Sequence, residues 1–284
     1  MTREVTEVNS ARPASDGAGV KLNRVFGGRK PEQYDPFLLL DAFGSDEAVD
    51  YIAGFPSHPH RGFETVTYML EGKMLHEDHL GNKGLLNSGD VQWMTAARGI
   101  IHSEMPQQEE GRMSGFQLWV NLPAVEKMKS PSYRDIPAAN IPEAKIDGVT
   151  IKSIAGEIKI GDQDFVGAVS GLSTDPLYLD VHMPKESSIT LPVANGHTAL
   201  IYVYEGQVAV GQVENKIAAL QIAVLEKNGD VIVSSTNDSR FILLAGKPLK
   251  EPVVQHGPFV MNTVQEIEQA IQDYRDGTLT AEIA

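Results

Sequence analysis

A strand–turn–strand pattern occurs twice in this chain, and that repeat constrains the fold more than any other feature. Tyr68-Met-Leu-Glu71-Gly72-Lys-Met reads like Tyr202-Val-Tyr-Glu205-Gly206-Gln-Val, 134 residues later. Ser88-Gly89-Asp90-Val91 then matches Asn228-Gly229-Asp230-Val231 at an offset of 140. Two matches in the same order point to a duplicated β-barrel. The runs around them read as strands: Val20 to Phe26, Phe63 to Leu70, Val91 to Met94, Gly115 to Leu122, Leu177 to His182, Thr198 to Tyr204, Ile222 to Leu225 and Arg240 to Leu244. Each is short, rich in β-branched or aromatic residues, and bounded by Gly, Pro, Asn or Asp. The stretch Ser130 to Asp147 carries Pro131, Pro137 and Pro142 and is the natural linker. The expected fold is therefore all-β: a barrel over 1–135, a linker over 136–147 and a second barrel over 148–284. One helix is expected, at 264–276. Thr263-Val-Gln-Glu266 has the form of a capping box, Val264, Ile267, Ala270, Ile271 and Tyr274 form a stripe, and Gly277 ends it.

Composition narrows the chemistry. There is no cysteine, so disulfides, thiolate zinc sites and cysteine nucleophiles are excluded. A net charge of −14 without basic clusters argues against nucleic acid as a partner. No apolar run approaches the length of a membrane span, and the first thirty residues hold no signal-like apolar stretch. The expectation is a cytoplasmic protein without a membrane partner, with a nuclear location also open in a eukaryote. Gly27-Gly28-Arg29-Lys30 lacks phosphate-loop spacing and reads as a turn.

Donor residues cluster in the first repeat. Phe55-Pro-Ser-His58-Pro-His60 and Gly99-Ile-Ile-His102-Ser-Glu104 each place two donors at i and i+2, which share a face in a strand. Imidazole nitrogen and carboxylate oxygen suit Fe, Mn, Ni, Cu and Zn, and a set of four would leave two octahedral positions open. Glu64 has the same parity as His60, so spacing alone leaves two glutamates in contention. Five of the eight histidines, His58, His60, His76, His79 and His102, lie between 58 and 102. The two offsets map His58 and His60 onto Pro192 and Ala194, and His102 and Glu104 onto Ile242 and Leu244. The second copy keeps the turns and lacks the donors, which marks the donors as functional. His76 reads as orienting a ligand or lining the pocket, His79 as a solvated hairpin residue, and Arg98 as surface, with attraction of an anionic substrate as its alternative role. Phe55, Phe63, Trp93, Met94 and Phe116 are candidates for an aromatic cavity or for ordinary core.

Longer motifs carry a family resemblance. His58-Pro-His-Arg-Gly-Phe-Glu-Thr-Val-Thr-Tyr68, His76-Glu-Asp, Ser88-Gly-Asp-Val-Gln-Trp-Met-Thr-Ala96 and Arg98-Gly-Ile-Ile-His-Ser-Glu-Met-Pro106 resemble the pirins, as do Gln117-Leu-Trp-Val-Asn-Leu122 and His256-Gly-Pro-Phe-Val-Met-Asn-Thr263. Pirins belong to the cupin superfamily, so the resemblance implies a bicupin of two tandem jelly-roll barrels. It implies one Fe(II) per chain, held by His58, His60, His102 and Glu104, with other divalent metals compatible. It selects Glu104 over Glu64. It further implies a dioxygenase that opens a flavonol such as quercetin with O2, with Glu104 taking the hydroxyl proton. The other role implied is a redox-sensing regulator whose iron tunes a surface for a transcription factor or metabolic enzyme as protein partner.

Overall fold

A computed structural model describes residues 1–28 and 30–281. Each half of the repeat folds into one sheet of seven strands and one of four. In the first, the larger sheet runs Ser132–Ile136, Val91–Thr95, Phe63–Glu71, Met113–Asn121, Phe37–Ser45, Val20–Gly27 and Arg12–Asp16. The smaller runs Phe55–His60, Ile100–Pro106, Met74–Asp78 and Lys83–Leu86. In the second, the larger sheet runs Val5–Ser10, Gln221–Leu225, Thr198–Glu205, Ser239–Gly246, Leu177–Met183, Val149–Ala155 and Glu143–Ile146. Its partner runs Ser187–Leu191, Val231–Ser235, Gln207–Val210 and Asn215–Ala218. The two strand orders correspond position by position, which is the tandem jelly-roll arrangement expected of a duplicated cupin.

Alternation along each strand builds the cores. Leu177, Leu179, Val181 and Met183 point inward with Ile189, Leu191, Val231 and Val233 of the smaller sheet. Full burial of each such side chain contributes about 1.5–3 kcal/mol. All eight expected strands are present, each with ends within about two residues of those read from the sequence.

Strand pairing corrects the second half of the repeat. Gly72 and Gly206 are equivalent and both left-handed, at φ +98° and +74°. Gly89-Asp90 and Gly229-Asp230 are not equivalent. The first leads into Val91–Thr95, which pairs with Phe63–Glu71 in the larger sheet; the second leads into Val231–Ser235, in the smaller one. Tyr68 pairs with Val91 and Tyr202 with Ile222, so the true counterpart of Gly89 is Leu220, itself left-handed at φ +64°. By the same register the counterparts of His58 and His60 are Leu191 and Val193, and those of His102 and Glu104 are Val231 and Val233. All four are core residues of the second unit. A three-residue turn match survives by chance because Gly-Asp before a strand solves a common local problem.

The compact units do not follow a single cut of the chain. One consists of 1–12 with 139–248, the other of 13–138 with 249–284. Val5–Ser10 pairs with Gln221–Leu225, and the expected linker at 136–147 contains the strand Glu143–Ile146, which extends the second sheet. The helix Val264–Arg275 has the capping box, with Thr263 Oγ1 accepting from Glu266 N and Glu266 Oε2 accepting from Thr263 N. Its buried face is narrower than the predicted stripe: Ile267 and Ala270 are buried with Phe259 and Met261 of a short hairpin, while Val264 and Tyr274 are exposed. At the Gly27–Lys30 run, Gly28 and Lys30 are both left-handed, as a turn requires, and Arg29 lies outside the described residues.

Candidate metal centre

His58 and His60 lie on the edge strand Phe55–His60, and His102 and Glu104 on its neighbour Ile100–Pro106. An edge strand needs only one row of backbone donors, which is why Pro56 and Pro59 are tolerated in it. His58 is directly opposite His102, and the register slips between His102 and Glu104. The three imidazoles converge, with ring centroids 4.3 Å (His58–His102), 4.7 Å (His58–His60) and 4.8 Å (His60–His102) apart.

Potential ligand atoms fall into two overlapping groups among the described residues. His58, His60 and His102 form one, His76, His102 and Glu104 the other; within each group the atoms lie within 4.8 Å of one another. The expected three histidines thus come together directly, and Glu104 joins them through His102. Glu64 belongs to neither group. It is buried on the opposite face of its strand from Thr65 and Thr67, where its Oε1 accepts from Thr95 Oγ1 at 2.6 Å. Burial raises its pKa above the usual carboxylate value.

The donor chemistry fits a divalent transition metal. Burial, reinforced by the neighbouring imidazoles, holds His60 and His102 well below the ordinary histidine pKa, so both are neutral with a lone pair to offer at pH 7. His58 Nδ1 lies 2.8 Å from the Pro56 carbonyl and donates to it, which leaves Nε2 as the lone-pair nitrogen. That nitrogen sits 3.0 Å from His60 Nε2. His102 Nε2 is buried without a hydrogen-bond partner in the protein. Buried nitrogens without donors are costly unless a cation takes them. On its other side His102 Nδ1 lies 3.3 Å from Nδ1 of the fully buried His76. His76 therefore contacts a candidate ligand, which suits the orienting role; it also has an unpartnered buried Nε2. His79 accepts from Ile101 N beside the turn.

Above the cluster opens a pocket of about 680 Å³, within the range of sites for drug-sized molecules. His58, His60 and Glu104 form one part of its lining, and Leu39, Phe43, Phe55 and Trp119 supply apolar walls. Of the five proposed cavity aromatics and methionine, only Phe55 lines it. Phe63 packs edge-on behind His60 and against Trp119, Met94 joins Ala96 and Ile100 in the core, and Trp93 and Phe116 are buried elsewhere. Arg98 does not line it either and donates to Ser130 Oγ.

A polar row crosses the larger sheet beneath the pocket. Asp135, Gln92, Thr67, Gln117, Asp41 and Arg24 are directly opposed on six successive strands. Arg24 grips Asp41 with two bonds, Nε to Oδ1 at 2.9 Å and Nη2 to Oδ2 at 2.7 Å. Burial still leaves the Asp41 pKa above its ordinary value. Thr67 lies 2.9 Å from Glu104 Oε1. Gln255, Gly257 and Pro258, from the returning C-terminal segment, complete the wall. Arg61 anchors that segment through Asp273 Oδ2 at 2.6 Å and the Leu279 carbonyl at 3.1 Å. The sequence signals that could have found these residues were the Gln117 and His256 motifs; nothing local marks Arg24 or Asp41.

Known proteins share this architecture across nearly the full chain. The pirin family matches residues 19–120, and the pirin C-terminal cupin domain matches 178–280. A Pseudomonas aeruginosa protein named "Putative quercetin 2,3-dioxygenase" is 55% identical over 279 residues, covering 98% of each chain. Human pirin is 44% identical over 280 residues, covering 97% of this chain and 93% of its own. The crystal structure of a quercetin 2,3-dioxygenase from Acinetobacter baumannii superposes with a TM-score of 0.90 at 34% identity, covering 100% of both chains. With both domains matched, and with relatives this similar end to end, the chain belongs to the pirin family.

Proposed function

We propose that this chain is a mononuclear non-haem iron protein that opens flavonols with O2, as a quercetin 2,3-dioxygenase does. The observation that carries the reading is the convergence of His58, His60 and His102, with Glu104 joined to them through His102, beside a pocket whose walls are apolar and whose floor is polar. These four residues would hold the metal, one ion per chain. When bound, the iron supplies Lewis acidity toward a flavonol hydroxyl and redox chemistry with O2.

The chain's own residues supply the rest. Leu39, Phe43 and Trp119 present flat, apolar surface to an aromatic ring system and exclude water from it. Phe63 against His60 and Trp119 fixes both rings. Glu104, held at Oε1 by Thr67, takes the hydroxyl proton. His76 sets the orientation of His102 through the contact between their Nδ1 atoms. The relatives named for quercetin dioxygenation support the substrate class.

The test is direct. Iron-loaded protein with quercetin under air should take up oxygen, bleach the flavonol absorbance and release carbon monoxide. Metal-replete protein that consumes no oxygen with any flavonol would overturn the enzyme reading and leave the redox-regulator role in its place.

A further inference from the structure

Thr67 owns one hydroxyl proton and faces two oxygen atoms. Its Oγ1 lies 2.9 Å from Glu104 Oε1 and 2.6 Å from the side-chain oxygen assigned to Gln117. A hydroxyl can donate to only one of them, and Thr67 is itself buried, at only 2% exposed. One of the two partners must therefore bring a proton of its own. An amide can do so without moving an atom, because its oxygen and nitrogen ends have the same shape and differ by a half-turn. A carboxylate that ligates a cation cannot.

We infer that Gln117 and Thr67 form a two-link positioning chain for Glu104, in which the Gln117 amide donates to Thr67 Oγ1 and Thr67 donates to Glu104 Oε1. Neither residue is a ligand. The chain pins one carboxylate oxygen and leaves Oε2 for the metal. It also ties the two sheets together at the site, since Glu104 lies on the smaller sheet while Thr67 and Gln117 are directly opposed on the larger. The second unit provides the comparison. The counterparts of Thr67 and Gln117 there are Ile201 and Leu243, directly opposed in the same way, and the counterpart of Glu104 is Val233. Where there is no carboxylate to orient, the orienting pair is absent too.

The inference rests on the reading of Glu104 as a ligand, and the experiment separates the two. Cobalt(II) serves as the probe, because its visible bands report coordination geometry without any turnover. Thr67→Val should weaken cobalt binding about 10–100-fold, the usual cost of losing such a partner, and shift the bands. Thr67→Ser should restore both. Gln117→Leu should weaken binding less, and combining it with Thr67→Val should add nothing, since Gln117 acts only through Thr67. Thr67→Val with wild-type affinity and bands overturns the inference, as do losses that simply add in the double variant. Should Thr67→Val fail to fold in the metal-free melt, Gln117→Leu with unchanged affinity overturns it instead. Glu104→Gln is the reference variant: normal cobalt binding there removes the ligand reading and this inference with it. Loss there, without loss in Thr67→Val, removes this inference alone.

Discussion

The two barrels share one topology and fill their interiors in opposite ways. Across six strands of the first, one cross-strand row reads Asp135, Gln92, Thr67, Gln117, Asp41, Arg24. The corresponding row of the second reads Val8, Ala223, Ile201, Leu243, Leu179, Ser153. Four of those six join a continuous aliphatic core with Leu191, Val193, Val231 and Val233, the counterparts of the four candidate ligands. The fold therefore does not require a polar lumen. One barrel is packed for stability; the other gives up that packing to hold donors and a pocket.

The largest expected effect breaks the comparison at its centre. Wild-type protein should carry one metal per chain, and His102→Ala should carry none while keeping its circular-dichroism signal. Elemental analysis giving two tightly held ions per chain would show that the second barrel also binds. Next, the interiors should respond differently to truncation. Leu243→Ala opens a cavity in the aliphatic core and should cost about 2–5 kcal/mol, whereas Gln117→Ala, at the matching position beside the open pocket, should cost about 1 kcal/mol or less. Urea midpoints on metal-free protein measure both, and equal losses would erase the distinction.

A finer prediction concerns the two glutamates, one on each sheet of the first barrel. Glu64→Gln should keep its metal within about twofold of wild type, as expected of a group remote from the ligand shell, while Glu104→Gln should lose it. Metal retention in the opposite order would move the carboxylate ligand from the smaller sheet to the larger. The smallest effect is in the acid range. The Asp41 pKa is raised by burial, so the folded state holds its proton to a higher pH than the unfolded chain does. That contribution to stability is complete below the ordinary aspartate value and is lost as pH rises through the folded pKa. Comparing midpoints of wild-type and Asp41→Asn metal-free protein across this window should show the wild type losing ground as pH rises; parallel curves would contradict it.

Features encoded within a few residues were legible in the sequence. The i, i+2 spacing of His58/His60 and His102/Glu104 survives into neighbouring strands, and the Thr263/Glu266 capping box forms as read. Features set by closure of the sheets were not. Arg24 meets Asp41 only because their strands pair, and the polar row exists only in the register of six strands. Gly229-Asp230 resembled Gly89-Asp90 because a turn signal says nothing about which sheet it enters. Parity likewise could not separate Glu64 from Glu104: each shares a face with its own strand neighbours, and only strand pairing decides which face meets the histidines.

The exchange of terminal segments has a consequence for how the chain comes into being. A ribosome emits the first unit's four candidate ligands early, yet Gln255, Gly257 and Pro258 of the pocket wall emerge near the end. Arg3, fully buried, waits for carbonyl partners such as Glu226, 223 positions downstream. Neither unit has all its residues before position 248 has been made, so completing one before the other is begun is denied to this chain. A nascent fragment ending at residue 138 would display the histidines with the Gln255, Gly257 and Pro258 wall of their pocket missing.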